Sequence, residues 1–469
     1  MKRRLTSVAL LLIIYFFLSL FTFLFWAVNG RYWITGDEPH YLVMTSGIVR
    51  YGTFEQTIPY TEEFKTQEIY RQELAPIGAI PSSENTHAIQ GLHGLFNVHN
   101  IGLPLILSLP FLFGGVIGAK AFMIALGGMA IVITWKISSA FSPDRKIRFF
   151  ATLATCVALP LIPASNQIYP DLLAGIIALS GIYWFITTKK QRKLIIEGFG
   201  IGAIVFLPWL QIKFLATCVI LVIAIGLKIY IETRSIKRIL LISIAAIISF
   251  VVLGFYNYYA FGKISGPYDS GALELSRTAF MVLLGLCFDQ NQGFLFQNPI
   301  MLVGLFFIGA YFSRNKVVTL LVLLVFLSFI IPNSMHPAWY GGFSFSGRFE
   351  WSIAIVFYLP TVFGIIKLSK INIKVFWLII GISLLLQGYF YYHYTFAYLN
   401  LYNKGPSTSL ETYSIFYYPI RSWMPALYNA SWAYRYAPNY AWSIVILMIF
   451  FLGILSNVNT LRSHQDLVT

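Results

Sequence analysis

The chain has 469 residues, of which 58% are hydrophobic and 11% charged, with a mean hydropathy of +0.71. A soluble domain carries about 25% charged residues, so an ordinary soluble enzyme is excluded. The net charge of +15 fits the basic cytoplasmic loops of a membrane protein better than a nucleic-acid surface, and three cysteines, Cys156, Cys218 and Cys287, make no disulfide framework.

Met1-Lys2-Arg3-Arg4 leads into an apolar run, Leu5 to Val28. The run is too long for a signal-peptide core and meets no small-residue cleavage site before Asn29-Gly30-Arg31, so it reads as a retained first helix. Residues 29–100 follow as a polar first loop. Residues 101–118 are apolar but short, with Pro104, Pro110 and Gly114-Gly115, and read as a re-entrant or juxtamembrane helix. Spans are predicted at 119–139, 149–166, 171–187, 194–208, 214–231, 239–258, 297–312, 317–332, 350–367, 374–391 and 440–457.

Basic clusters decide the orientation: Lys2-Arg3-Arg4, Arg145-Lys146-Arg148, Lys189-Lys190-Arg192-Lys193, Lys228 to Arg238, Arg314-Lys316 and Lys367-Lys370-Lys374. All six lie in the cytoplasm if an even number of spans separates each neighbouring pair. That requires about twelve full spans with both termini inside. The alternative makes 101–118 a full span and turns a basic loop outward. With the first topology most carboxylates, and every histidine but His464, fall outside or at the outer rim. Two further outer segments stand out: 259–296, with an amphipathic stretch from Ala279 to Cys287, and the aromatic 392–439, with Tyr394, Tyr398, Tyr417, Tyr418, Trp423, Trp432, Tyr434 and Tyr436. No internal repeat is evident, and residues 1–469 read as one integral membrane domain of the cell membrane with its polar chemistry facing outward.

The sharpest motif is Thr35-Gly36-Asp37-Glu38-Pro39-His40-Tyr41. Two adjacent carboxylates at a membrane surface can take a proton or hold a cation. The structural alternative is a helix start capped by Asp37 with Pro39 in the first turn. Other polar stretches follow: His99-Asn100-Ile101-Gly102-Leu103-Pro104, Tyr169-Pro170-Asp171, Leu207-Pro208-Trp209-Leu210-Gln211-Ile212-Lys213, Phe288-Asp289-Gln290-Asn291-Gln292-Gly293, and Trp339-Tyr340-Gly341-Gly342 with Arg348.

An Asp-Glu pair just after the first helix, followed in order by these stretches, resembles the GT-C superfamily of polytopic glycosyltransferases, in particular glycosyltransferase family 39, the protein O-mannosyltransferases and the aminoarabinose transferases. The resemblance runs from about residue 30 to 350. It implies a GT-C-type bundle, a polyprenyl-phosphate sugar donor, and transfer of a hexosyl or pentosyl group to a cell-envelope acceptor (lipid, glycan or protein) with inversion. Asp37 matches that family's catalytic base, and Glu38, His40, His99, Asp171, Lys213, Asp289 and Arg348 become candidate substrate-binding residues.

The chemistry agrees: inverting transfer needs a carboxylate to take the acceptor's proton, and a cation to meet the departing phosphate. Lys213 and Arg348 are the cations best placed for that task, with Lys120 and Arg421 behind them. Lys213 could instead snorkel to the interface, and Arg348 could pair with Glu350. A first-turn acid would explain Asp171, a solvated turn Asp289, and an interfacial aromatic belt 392–439. His87, His93 and His99 recur every six residues beside several carboxylates, which leaves a divalent metal open; the relatives differ in metal use, so the resemblance assigns none. The competing function is a transporter or flippase of a lipid-linked saccharide. Such proteins place ionisable groups near mid-membrane and show paired repeats, which this sequence does not.

Overall fold

The computed structural model describes residues 6–30, 34–70, 74–187, 194–268, 274–336, 341–397, 416–427 and 433–465. Among them, regular structure is helical apart from one two-stranded hairpin. Among the described residues, nine helices are long and apolar enough to cross a membrane, as the composition demanded of an all-α multi-pass protein.

The count of full-length helices differs from the twelve expected, for a local reason. The stretch 149–166 is divided between Arg145–Cys156 and Leu161–Ser165, and 194–208 between Leu194–Val205 and Leu207–Leu210. Residues 297–312 fall into Phe294–Gln297, Met301–Phe306 and Ile308–Arg314. Each of the three runs carries a proline at or just after a break (Pro160, Pro208 or Pro299), which lacks the N–H that continues a helix and crowds the preceding turn; the further break at Phe307 has none. The element expected at 101–118 is the first part of a longer helical run, Gly102–Ser138, broken at Gly115, where φ is 54° and ψ −140°. Only glycine takes that conformation without strain.

The chain forms two compact units, one of Met1–Gly30, Gly127–Ala164 and Glu274–Thr469, the other of Arg31–Leu126 and Ser165–Leu273. In the first, Trp351–Ile371 is buried along almost its whole length. It meets Met301–Phe306 through facing glycines: a Cβ on Gly304 would lie 2.7 Å from Thr361 Cα, and one on Gly364 2.7 Å from Val303 O. Small residues let two apolar helices approach where lipid supplies no hydrophobic drive. Ser7–Val28 joins Ile373–Ala397 by polar contacts, Thr22 Oγ1 to Thr395 Oγ1 at 2.9 Å and Trp26 Nε1 to Thr395 O at 2.8 Å.

In the second unit, Ile236–Phe261 exposes Leu240, Ile244, Ile247, Val251 and Phe255, a face suited to lipid. The remainder carries the long polar loop. The hairpin pairs β1 (Ala88–Gly91) with β2 (Gly94–Asn97), Ala88 facing Asn97. It packs so closely on the end of Ile236–Phe261 that a Cβ on Gly91 would fall 1.7 Å from Ala260 O. His93, at the hairpin tip, stacks on Tyr259 with ring centroids 4.3 Å apart.

Candidate functional site

The second unit holds six of the eight candidate residues, and four of them, Asp37, Glu38, His40 and His99, lie around the start of the helix Glu38–Ser46. Pro39 in the first turn presets the backbone. Asp37 occupies the cap position, yet its side chain makes no capping hydrogen bond to the helix, so a helix cap does not account for this carboxylate. The Asp37 backbone is fixed instead: its N–H donates to Tyr169 Oη at 3.3 Å, and its carbonyl accepts from His40 and Tyr41. Tyr169 Oη donates to Thr35 O at 3.1 Å, which locks the turn carrying Asp37.

The two neighbouring carboxylates have opposite fates. Glu38 is fully buried and its oxygens are engaged: Oε2 accepts from Thr35 N (2.9 Å) and Thr35 Oγ1 (3.4 Å), and Oε1 from Ile168 N (2.7 Å) and Lys120 Nζ. Lys120, also fully buried, makes its second bond to Asn166 O at 2.7 Å. This is an internal ion pair in which both partners make further hydrogen bonds, which helps a buried pair to be tolerated. The Asp37 side chain retains 18% exposure.

Two imidazoles face Asp37. His87 Nδ1 lies 3.7 Å from Asp37 Oδ1, His99 Nε2 lies 4.0 Å from the same oxygen, and the two nitrogens are 3.3 Å apart. The hairpin explains how residues twelve apart in sequence meet. His87 directly precedes β1, Val98 directly follows β2, and Val98 N donates to His87 O at 2.8 Å, so His99 emerges beside His87. Alternate spacing every six residues had linked His93 to this pair, but the antiparallel turn carries His93 to the opposite end of the hairpin.

Neighbours hold both rings. His40 stacks on His87 with centroids 3.7 Å apart, and its Nδ1 is 2.6 Å from Tyr60 Oη, which also accepts from Asn97 Nδ2 at 3.1 Å. His99 N donates to Asn97 Oδ1 at 2.9 Å, and its ring lies 4.7 Å from that of Tyr41. Burial, then repulsion from His87 and His99, keeps the His40 imidazole well below the usual histidine range, against the pull of Asp37. His40 therefore stays a neutral positioning group.

Elsewhere in this unit, Lys213 Nζ pairs with the buried Asp171 at 2.8 Å, and the lysine side chain keeps 13% exposure. Snorkelling alone does not describe Lys213, because it is anchored to Asp171. Gly102 accepts the Trp209-Leu210 backbone so tightly that a Cβ would lie 2.5 Å from Trp209 O, which brings the motif after His99 against the motif that ends at Lys213.

Asp289 and Arg348 belong to the first unit. Asp289 is buried rather than a solvated turn acid: it accepts from Asn291 N at 2.8 Å, Gln292 N at 2.9 Å and Leu427 N at 2.7 Å. Arg348 is buried, with Nη1 donating to Gly341 O at 3.0 Å. Its expected pairing with Glu350 is not formed among the described residues, where both Glu350 oxygens lack a hydrogen-bond partner. Trp339 and Tyr340 of the glycine motif lie outside the described residues, as do Tyr398 and Trp432 of the aromatic segment. From that segment, Tyr417 Oη donates to Phe296 O at 2.7 Å and Tyr394 packs edge-on against Trp26.

Sequence reading did not foresee the Glu38–Lys120 pair, the His87–His99–Asp37 grouping or the support from Tyr60 and Tyr169. The legible signal for the grouping was the Gly91-Leu92-His93-Gly94 turn inside Ala88 to Asn97, a hairpin pattern. Compared with known proteins, the chain matches no family model, no curated protein and no solved structure.

Proposed function

We propose that the protein is a glycosyltransferase that moves a sugar from a polyprenyl-phosphate donor to an acceptor of the cell envelope, with Asp37 as general base. The observation that carries this reading is the sorting of the two adjacent carboxylates. Glu38 is consumed by Lys120 and three further donors, whereas Asp37 is not spent on capping and reaches the surface. A base for an acceptor hydroxyl must be held in place and reachable by substrate; the Asp37 backbone is fixed by Tyr169 and its side chain is partly exposed. Glu38 and His40 then position Asp37, a more indirect part than substrate contact.

Lys213, partly exposed and oriented by Asp171, is the cation of this unit suited to the departing phosphate. In the other unit, a cavity of about 730 Å³ is lined by apolar side chains such as Phe280, Leu284 and Phe326, with Arg277 and Asn439 among them. That composition suits an apolar ligand of this unit's own. In this reading the bundle is of GT-C type with about twelve membrane passes, the three proline-interrupted runs counting as broken passes. The active face lies outside the cell membrane, opposite the basic loops.

The experiment is Asp37→Asn in detergent-purified protein with a polyprenyl-phosphate sugar and an envelope acceptor extract. Transfer should fall at least about 100-fold, because an amide cannot take the proton. The unfolding temperature should stay close to that of the wild type, since no cap bond is lost. Retained transfer by this variant removes Asp37 as the base.

A further inference from the structure

We infer that Asp37, His87 and His99 form a binding site for one divalent cation of the zinc class. Asp37 Oδ1, His87 Nδ1 and His99 Nε2 make a triangle with sides of 3.7, 4.0 and 3.3 Å, and all potential ligand atoms lie within 4.8 Å of one another. A tetrahedral ion with bonds of about 2.0–2.2 Å holds its ligands about 3.3–3.6 Å apart. The two imidazoles already stand at that separation, and the carboxylate closes the set by moving a few tenths of an ångström.

The donor chemistry selects the metal. Two imidazole nitrogens and one carboxylate oxygen suit zinc and its neighbours, whereas magnesium and calcium favour oxygen-only shells. Neighbouring residues hold the ligand-bearing groups in place. Stacking on His40 fixes the His87 plane, Asn97 holds the His99 backbone, and Tyr169 holds the Asp37 backbone. Three ligands supplied from a hairpin and a helix start leave a coordination position for an exchangeable oxygen, the pattern of reactive rather than structural sites. If the proposed transfer holds, the substrate oxygen reaches the ion at that position; the binding of the ion itself does not depend on that reading.

The test uses full-length, tag-free protein in detergent, stripped with chelator and titrated with Co²⁺ and then Zn²⁺ in the absence of any sugar donor. The wild type should bind one equivalent of Co²⁺ with visible d–d absorption, and Zn²⁺ should displace it while Mg²⁺ should not. His87→Ala and His99→Ala should each weaken binding at least about 100-fold, beyond the effect typical of outer-shell changes. His93→Ala, at the other end of the hairpin, should bind like the wild type. Circular dichroism and unfolding temperature check that each variant is folded. Wild-type protein that binds no more Co²⁺ than a folded His87→Ala/His99→Ala variant overturns the site, as does equal loss in His93→Ala or displacement by Mg²⁺. Because no donor is present, absence of metal binding would leave the transferase reading standing, and absence of sugar transfer would leave the metal site standing.

Discussion

At the scale of single residues, two carboxylates adjacent in sequence are separated by their surroundings into a fully buried one and a partly exposed one. The motif Asp37-Glu38 was legible, but its division of labour was not, because Glu38 is satisfied by Lys120 and Ile168, more than eighty positions away. Nothing local in the sequence announces such partners. The pairing carries its own prediction. Glu38→Gln should destabilise the protein by about 3–5 kcal/mol, because it leaves the Lys120 ammonium buried without its counter-charge. Glu38→Gln combined with Lys120→Met should recover much of the loss, since removing both charges is far less costly than removing one. Thermal unfolding in detergent reads both, and a single variant as stable as the wild type would mean the pair contributes no such stabilisation. The candidate phosphate-binding cations fared differently: Lys213 is tied to Asp171, and Arg348 to Gly341.

At the scale of elements, the hairpin is what converts a loop of histidines into a site. A periodic reading of His87, His93 and His99 fails because strand geometry, not spacing along the chain, decides which residues meet. In an antiparallel pair the residues flanking the open end are neighbours, while the turn lies about 3.3 Å farther away for every residue of strand. Gly91 sets where the hairpin sits, since any Cβ there would overlap the Ala260 carbonyl. Gly91→Ala should therefore displace the hairpin from the helix Ile236–Phe261 and disorganise His87 and His99 together. Cobalt uptake should fall at least about 10-fold, the scale of a disturbed outer shell, with the helical circular-dichroism signal retained. Uptake equal to the wild type would show that the hairpin's seat does not govern the ligands. The helices interrupted at Pro160, Pro208 and Pro299 teach the same lesson at larger size: hydropathy marks apolar runs, but proline decides where a run stops being a helix.

At the scale of the whole molecule, the membrane class was fully legible, because 58% hydrophobic and 11% charged residues leave few other ways to bury a chain of this length. The number of full-length helices was not, since length and hydropathy do not register a broken helix that protein packing keeps satisfied. Nor does hydropathy foretell the assignment of Asp37, Lys213, His40, His87, His93 and His99 to one compact unit and Asp289 and Arg348 to another. That depends on long-range pairing of segments far apart in sequence. On the proposed function the molecule breaks a bond rather than merely moving a lipid. The most direct test reconstitutes the wild-type protein in vesicles with a polyprenyl-phosphate sugar and an acceptor extract, then follows release of free polyprenyl phosphate by mass spectrometry. Release coupled to one sugar gained by the acceptor is the predicted result. Passage of the intact lipid-linked sugar across the bilayer, with the sugar–phosphate bond never cleaved, would contradict it.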